Sequence, residues 1–498
     1  MHLTPSRTVR AAAAALAISG LALAVPSIAM ATPAALGPLT ASVAPSLYAG
    51  VVIIPGQATV TYSTPDPSQV RYVTVDWGDG IKDFATGHVY ANPGTYEIVV
   101  TATDFSGQSV SAAPIWFTAG LGTRIDQPVR SYDSRTSRSV AANATVRLAA
   151  ADLEPFAVKD TTNKSVTVTV TVVHPQKAGW IIAYPEGATR PTASTLNFTA
   201  GQTVANVTDV VAGSNGYIDF YNASPGTIDL LVDTIADQTV NGMMPVPGTI
   251  GYSTPTSYVP VDPVRVLDTR TGFGGQRTVI GHSFPTISLD GTPGLPNNFS
   301  GVAVFNIATT NTRSAGYLSV ADDTRNVPTT SVSNWAKGQT VSNLVLARAL
   351  GGEVWLYNGG AGDADFVVDL VGYYAYWGVG PNGAYYLPAQ PARLLDTRSG
   401  PQLAPGQTIT AHVPTSAANT VAAELNLTAT GATGGGYLIV YPHGHNRPTA
   451  SSINFTANTS VANATIMRLG SNNSIDIYNG GSHPVDVLVD LEGTYFTY

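Results

Sequence analysis

The sequence predicts an all-β protein of several domains, and three observations support that prediction. Apolar and polar residues alternate with period two along many short segments, most clearly in Val166–Val173, where we expect valines to point inward and threonines outward. Turn signals rich in Gly, Pro and Asn separate these segments, and no window carries a helical period. Hydrophobic residues make up 44% of the chain, which suffices for several separate cores.

The first 31 residues have the pattern of a signal peptide. Arg7 and Arg10 precede the apolar stretch Ala11–Val25, and Ala29-Met30-Ala31 is typical of a cleavage site. The apolar stretch is too short to span a bilayer, although an uncleaved anchor is the alternative interpretation. We therefore expect a secreted, extracellular protein with no membrane span after cleavage, either released or associated with the cell wall by non-covalent contacts.

The charge balance argues against two classes of partner. The formal net charge is −8, it becomes about −10 without the two leader arginines, and no run of Lys or Arg occurs. Because nucleic acids and anionic lipids are bound by clustered cations, we expect neither a nucleic-acid partner nor a polybasic membrane anchor. The chain has no cysteine, which excludes disulfides and thiolate metal sites.

Residues 40–119 contain a recognisable motif. The segment Val75-Asp76-Trp77-Gly78-Asp79-Gly80 is followed by His88-Val89-Tyr90 and then by Pro93-Gly94-Thr95-Tyr96. This pattern resembles the signature of the polycystic-kidney-disease (PKD) domain. The resemblance implies an immunoglobulin-like sandwich that acts as a spacer or binding module in extracellular proteins. It also implies that Trp77 is a core residue and that Asp79 shapes a turn.

The remainder of the chain is three related units, which we call repeats 1, 2 and 3, at residues 124–240, 257–377 and 384–498. Each opens with one short motif and continues to a shared Asn and then a shared Asp, which are 27, 26 and 27 residues apart in the three repeats. The linkers are Asn241–Thr256 and Gly378–Gly383. The opening motifs are Val129–Arg135, Val264–Arg270 and Ala392–Arg398, and the shared polar residues are Asp133, Arg135, Asn206 and Asp233; Asp268, Arg270, Asn343 and Asp369; and Asp396, Arg398, Asn463 and Asp490.

A repeat period of roughly 130 residues is too long for a solenoid unit, so each repeat is predicted to be a domain. Eight strands in about 115 residues favour a β-sandwich or jelly roll. The repeat is similar to the "RLLDTR…GY" module of secreted actinobacterial proteins, which recurs in tandem and accompanies wall-associated or hydrolytic domains. In repeat 3 the strands are predicted near Leu394, Ile409, Leu425, Leu438, Ile453, Ala464, Ile477 and Val487.

The shared polar residues have two interpretations. Pairs such as Asp396 and Arg398 lie two residues apart, which favours a salt bridge or cap that fixes the strand. The alternative is one polar ligand-binding site per repeat, formed if the shared Asn and closing Asp converge on that pair. Sugar sites also use exposed aromatics. Trp180, Trp335, Trp355 and Trp377 are candidates, of which Trp180 aligns with Tyr317 and Tyr437, while Trp335 aligns with Phe198 and Phe455 and is expected in the core.

We predict no cofactor, with calcium as the alternative because carboxylate and amide oxygens are its ligands. Asp322-Asp323 and Asp363-Ala364-Asp365 are the best local clusters for calcium, and neither has the spacing of a calcium loop. His443, His445 and His483 are weaker candidates for a zinc site. The chain has no Gly-x-Ser-x-Gly elbow, and its glutamates fall at unrelated repeat positions, so we do not expect an enzyme.

These observations lead to one hypothesis and two alternatives. We expect a non-catalytic protein that attaches to a cell-wall or environmental polysaccharide, with similar surfaces repeated along a rod so that weak sites gain avidity. A structural or adhesive scaffold that contacts surface proteins is the first alternative, and a glycan hydrolase is the second. The sequence does not fix how the domains are oriented.

Overall fold

The computed structural model describes residues 36–48, 52–153, 163–239, 256–321, 327–375 and 383–498. These residues form β-strands and short 3-10 turns with no α-helix, so the all-β prediction is confirmed. Within the described ranges, no helix has the length and apolar character needed to cross a membrane. The signal peptide predicted at residues 1–31 and most of both predicted linkers lie outside the described residues.

The first domain is a two-sheet sandwich built from eight strands. One sheet has the order β1-β2-β5, and the other has the order β4-β3-β6-β7 with β8 also paired to β6. The strands are β1 (Thr40–Tyr48), β2 (Val52–Ser63), β3 (Val70–Asp76), β4 (Lys82–Asp83), β5 (Gly87–Val89), β6 (Gly94–Asp104), β7 (Ser109–Ser111) and β8 (Ile115–Ala119).

Trp77 lies fully buried in the core between these two sheets. Its indole N–H donates to Asp83 at 3.1 Å, and its ring stacks on His88 with 4.9 Å between the centroids. Asp79 accepts a hydrogen bond from the Ile81 backbone N–H at 3.1 Å, which closes the turn, and its other oxygen contacts His88 at 2.7 Å. The core role expected for Trp77 and the turn role expected for Asp79 are therefore both observed.

Each repeat is a jelly roll of eight strands, which repeat 3 shows at every predicted position. The first, eighth, third and sixth strands form an inner sheet, and the second, seventh, fourth and fifth form an outer sheet, always in that order. This interleaving is the double Greek key of a jelly roll.

The strands of the three repeats correspond one to one. Repeat 1 has β9 (Gly122–Asp133), β10 (Thr145–Ala149), β11 (Asn163–Val173), β12 (Gly179–Pro185), β13 (Leu196–Phe198), β14 (Val204–Val211), β15 (Tyr217–Asn222) and β16 (Asp229–Thr239). Repeat 2 has β17 (Ser257–Asp268), β18 (Thr286–Ser288), β19 (Gly301–Thr310), β20 (Gly316–Ala321), β21 (Ser333–Trp335), β22 (Val341–Ala349), β23 (Glu353–Asn358) and β24 (Asp365–Ala375). Repeat 3 has β25 (Tyr385–Asp396), β26 (Thr408–His412), β27 (Thr420–Thr430), β28 (Gly436–Pro442), β29 (Ile453–Phe455), β30 (Val461–Arg468), β31 (Ser474–Asn479) and β32 (Asp486–Phe496).

The expected rod is wrong, because the three jelly rolls pack around one common axis. Their inner sheets share a hydrophobic core, and the three sixth strands, β14, β22 and β30, contact one another at the axis. Tyrosines from two repeats fill this central core, with the hydroxyls of Tyr374 and Tyr495 hydrogen-bonded at 2.8 Å. The molecule therefore has a pseudo-threefold arrangement on a single chain.

Strand β11 shows how this packing changes the sequence interpretation. Its valines face the core of repeat 1, as expected, but Thr167, Thr169 and Thr171 on the other face are buried as well. The inner sheet has a second covered face because neighbouring repeats pack on it. The expectation of outward-facing, solvated threonines is therefore wrong for this strand. Trp335 lies buried in the core of repeat 2, as predicted.

The first sandwich rests on repeat 3. The ring of Tyr498 packs on Phe117 with 5.6 Å between the centroids and on Tyr385 with 5.3 Å. The Thr95 hydroxyl adds a bond to the Ser416 carbonyl at 3.4 Å. Apolar packing at this contact joins the core of the sandwich to the jelly-roll assembly.

Candidate functional site

The shared Asp and Arg residues form one ion-pair cluster in each repeat. In repeat 3, Arg393 bridges Asp396 at 2.7 Å and the buried Asp490 at 3.3 Å, while Arg398 pairs with Asp396 at 2.6 Å. The first arginine of the motif was not among the predicted site residues, although it stands three positions before the Asp in every repeat. The equivalent clusters are Arg130, Asp133, Arg135 and Asp233 in repeat 1, and Arg265, Asp268, Arg270 and Asp369 in repeat 2.

These clusters join the first strand of the jelly roll to the last. Asp396 also caps the 3-10 turn Thr397–Ser399 by accepting the Arg398 backbone N–H at 3.1 Å. The hydrogen bonds from Arg398 lower the pKa of Asp396. Burial instead raises the pKa of Asp490, and the hydrogen bond from Arg393 opposes that shift. The arrangement fits the salt-bridge and capping interpretation, because its charges are paired within the protein.

The three shared asparagines are buried and connect the repeats in a closed ring. Each bonds the backbone of a different neighbour, so repeat 1 joins repeat 3, repeat 3 joins repeat 2, and repeat 2 joins repeat 1. The pairs are Asn206 with the Ala464 N–H (2.9 Å), Asn463 with the Leu344 N–H (3.1 Å) and Asn343 with the Ala205 carbonyl (2.7 Å).

The predicted ligand-binding residues thus fall into four separate groups, three ion-pair clusters and one ring. The shared asparagines do not converge on the Asp and Arg residues of their own repeat. Ligand binding by these residues stays a prediction, and it would require their internal hydrogen bonds to open.

The sequence analysis did not predict two further asparagines that join neighbouring repeats. Asn306 and Asn426 donate to the Ser451 and Ser194 carbonyls of neighbouring repeats. Repeat 1 has Thr169 at this position, so comparison of the three repeats gives no agreement there.

The junction between repeats 1 and 3 buries three carboxyl groups, which we call the carboxyl seam. Asp209 on β14 faces Glu424 on β27 and Glu492 on β32, and the Thr208 hydroxyl donates to Glu492 at 3.1 Å. Burial raises the pKa of Glu492 to about 8 and that of Glu424 well above its ordinary value, and the Asp209 charge adds to both shifts. At the junction between repeats 3 and 2 the three equivalent positions are apolar. Ile466 corresponds to Asp209, Val304 to Glu424 and Val371 to Glu492.

No group of three candidate metal ligands occurs among the described residues. Asp322-Asp323 lies outside them. Asp365 accepts hydrogen bonds from Thr269 at 2.8 Å and Asn311 at 2.7 Å, so it closes a loop, while Asp363 lies 3.8 Å from Arg313.

The histidines considered for zinc contact separate partners. His443 is 2.9 Å from Asp476, and His445 is 3.0 Å from Asp262 of repeat 2. His483 contacts the neighbouring Ser482 hydroxyl at 3.0 Å. These described contacts do not bring the three imidazoles onto one site.

A pocket of about 320 Å³ opens on the pseudo-threefold axis, and we call it the axial pocket. The fifth strands, the start of the sixth strands and the loops between them line it, with contributions from all three repeats. Its described lining contains amides, hydroxyls and valines and no charged side chain. The threefold-related residues are Asn197, Asn334 and Asn454, with Val204, Val341 and Val461.

The amides of the axial pocket are held in place. The Asn197 amide N–H donates to the Ser194 hydroxyl at 3.0 Å, and Asn454 repeats this contact with Ser451 at 3.2 Å. Around them, exposed Thr456 and half-buried Gln339 form part of the rim. Fixed amides beside apolar walls can orient an uncharged, hydroxyl-rich ligand.

No family model matches the sequence, and neither does any curated protein. Solved structures with remote similarity include a triple jelly roll from the turret assembly of an archaeal virus (12% identity, 76% of this chain and 91% of that chain, TM-score 0.16). They also include the SGBP-B protein of the Bacteroides ovatus mixed-linkage glucan utilization locus in complex with a heptasaccharide (12% identity, 88% and 92%, TM-score 0.15). At these TM-scores the similarities carry no argument about function.

Proposed function

We propose that the chain is a secreted, non-catalytic binding protein whose axial pocket receives part of a neutral cell-wall or environmental polysaccharide. The observation that carries the proposal is the uncharged lining of fixed amides, hydroxyls and valines. Sugars present hydroxyls to amides and C–H faces to apolar walls, and a volume of about 320 Å³ lies within the range of small-molecule sites.

A binding role rather than catalysis is supported by the same lining. Glycoside hydrolysis ordinarily needs two carboxyl groups flanking the bond, and acyl transfer needs a nucleophile with a base. The described residues around the axial pocket supply neither arrangement. The polar residues that recur in the repeats have structural partners, which fits a scaffold built to hold the pocket.

A scaffold that contacts other proteins is the second candidate. It is favoured by large exposed aromatics on the first sandwich, where Phe84 is 71% exposed and Trp116 is 62% exposed. We propose that this domain, which resembles a PKD module, acts as a spacer or as a second contact surface.

The test is retention of the mature chain, residues 32–498, on insoluble peptidoglycan, chitin and cellulose, with and without a chelator. Thr456→Phe places a ring at the exposed rim of the axial pocket and should abolish retention. Thr86→Phe is the matched control, because Thr86 is exposed on the first sandwich. Equal retention of wild type and Thr456→Phe would place binding elsewhere, and no retention on any glycan would favour the protein-contact scaffold.

A further inference from the structure

An aromatic side chain lies opposite each of the three threefold-related asparagines of the axial pocket, Asn197, Asn334 and Asn454. On the outer sheets, the fourth and fifth strands pair so that each asparagine lies opposite one aromatic. Directly opposed residues of antiparallel strands project from the same face, with Cβ atoms about 4.5–5.5 Å apart. The pairs are Trp180 with Asn197, Tyr317 with Asn334, and Tyr437 with Asn454.

These aromatic rings are accessible to solvent. Two of them pack against a backbone glycine. Trp180 is 44% exposed and Tyr437 is 38% exposed. A Cβ atom at Gly480 would lie 2.2 Å from the Tyr437 ring, and one at Gly359 would lie 2.3 Å from the Tyr317 ring. Glycine at both positions therefore allows the tyrosine to pack against the strand.

A second aromatic follows on the same face of each outer sheet. The ring centroids of Tyr317 and Tyr357 are 6.2 Å apart. In repeats 1 and 3 the equivalent tyrosine is covered by an arginine, with the Arg447 guanidinium 3.7 Å from the Tyr478 ring centroid. The stacked guanidinium groups of Arg190 and Arg447 are exposed and present hydrogen-bond donors on this face.

We propose that the three aromatic–asparagine pairs are arms that extend the axial pocket, so that the protein binds a neutral oligosaccharide longer than the pocket. This inference rests on the proposed function and specifies its ligand. Two linked sugars occupy the pocket and the outer one bonds the asparagine, while the next sugar along the chain stacks its C–H face on the aromatic of one arm. The fixed amide and the flat ring are the two kinds of contact that such a ligand needs.

The experiment compares the disaccharide and the hexasaccharide of both cellulose and chitin by isothermal titration calorimetry. The hexasaccharide of the bound glycan should bind more tightly than its disaccharide. Trp180→Ala with Tyr437→Ala should weaken hexasaccharide binding about tenfold, which corresponds to about 1.4 kcal/mol, and leave disaccharide binding unchanged. Trp116→Ala, which removes an exposed tryptophan far from the pocket, is the control.

The outcomes separate the inference from the function on which it rests. If binding depends on Thr456 but the two oligosaccharide lengths bind equally, the proposal of the arms is wrong and binding in the axial pocket stands. The same conclusion follows if the double variant does not weaken hexasaccharide binding. No binding of either length, together with no retention on insoluble glycans, overturns both. Equal weakening by Trp116→Ala would overturn the assignment of the arms.

Discussion

The carboxyl seam predicts that the protein loses stability as the pH rises. Glu492 has a folded-state pKa of about 8, above its ordinary value of 4.5, because burial and the Asp209 charge disfavour its ionised form. The folded protein therefore holds a proton that the unfolded chain releases. The resulting stability is fully present below about pH 4.5 and is lost as the pH rises through about 8.

The magnitude follows from the difference between these pKa values. One pKa unit corresponds to about 1.4 kcal/mol, so Glu492 alone accounts for a loss of about 4–5 kcal/mol of unfolding free energy above its folded pKa. Burial also raises the pKa of Glu424, so this second carboxyl contributes a further loss of stability in the same direction as the pH rises above its ordinary pKa. A loss of this size is a large fraction of the stability of a typical domain.

Denaturant unfolding of wild type and Glu492→Gln, measured between about pH 5 and pH 9, isolates this effect. Gln keeps the shape of the side chain and cannot ionise, so the variant should lose less stability than wild type across the range. A second variant, Asp209→Ile with Glu424→Val and Glu492→Val, installs the residues of the apolar junction and should flatten the dependence further. Parallel curves for wild type and both variants would refute the reasoning.

Three further predictions concern the fold. Arg265→Ala should destabilise the protein by about 3–5 kcal/mol in denaturant unfolding, because it leaves Asp369 buried without its partner, and a change below about 1 kcal/mol would contradict this role. Asn463→Leu should cost about 1–3 kcal/mol by orphaning the Leu344 N–H, and faster hydrogen exchange at that amide would report the loss. Trp77→Ala should cost the first sandwich about 3–5 kcal/mol while the jelly rolls keep their unfolding midpoint, and a shift of both transitions would show that the cores are coupled.

The strands were predictable because each repeat buries one face of its sheets in its own core. Alternation around Leu425 or Ile477 reports that burial directly, and all eight strands of repeat 3 lie where the pattern indicated. The packing of the repeats was not predictable from alternation. A threonine such as Thr169 fits a solvated face and a face packed on a neighbouring domain equally well. Only the three-dimensional structure shows that Thr169 is buried against a neighbouring repeat.

Residues that are identical at equivalent positions of the three repeats proved to be structurally important, but their identity alone did not indicate their role. Asn206 and Asp490 recur because every module needs its junction and its ion pair, and a shared ligand site would leave the same signal. The carboxyl seam gave no signal at all, since Asp209 and Glu424 occur at one junction and have no counterparts. The axial pocket could not be predicted from the sequence, because its wall is formed by segments of three repeats that are more than a hundred residues apart along the chain.

Carrying all three jelly rolls on one polypeptide changes how the assembly responds to dilution. Separate modules that met around an axis would come apart as their concentration fell, whereas covalently joined modules see one another at an effective concentration fixed by the connecting chain. The threefold arrangement therefore persists at protein concentrations at which separate modules would dissociate. The same connection lets a single junction differ from the other two, which three identical subunits could not do.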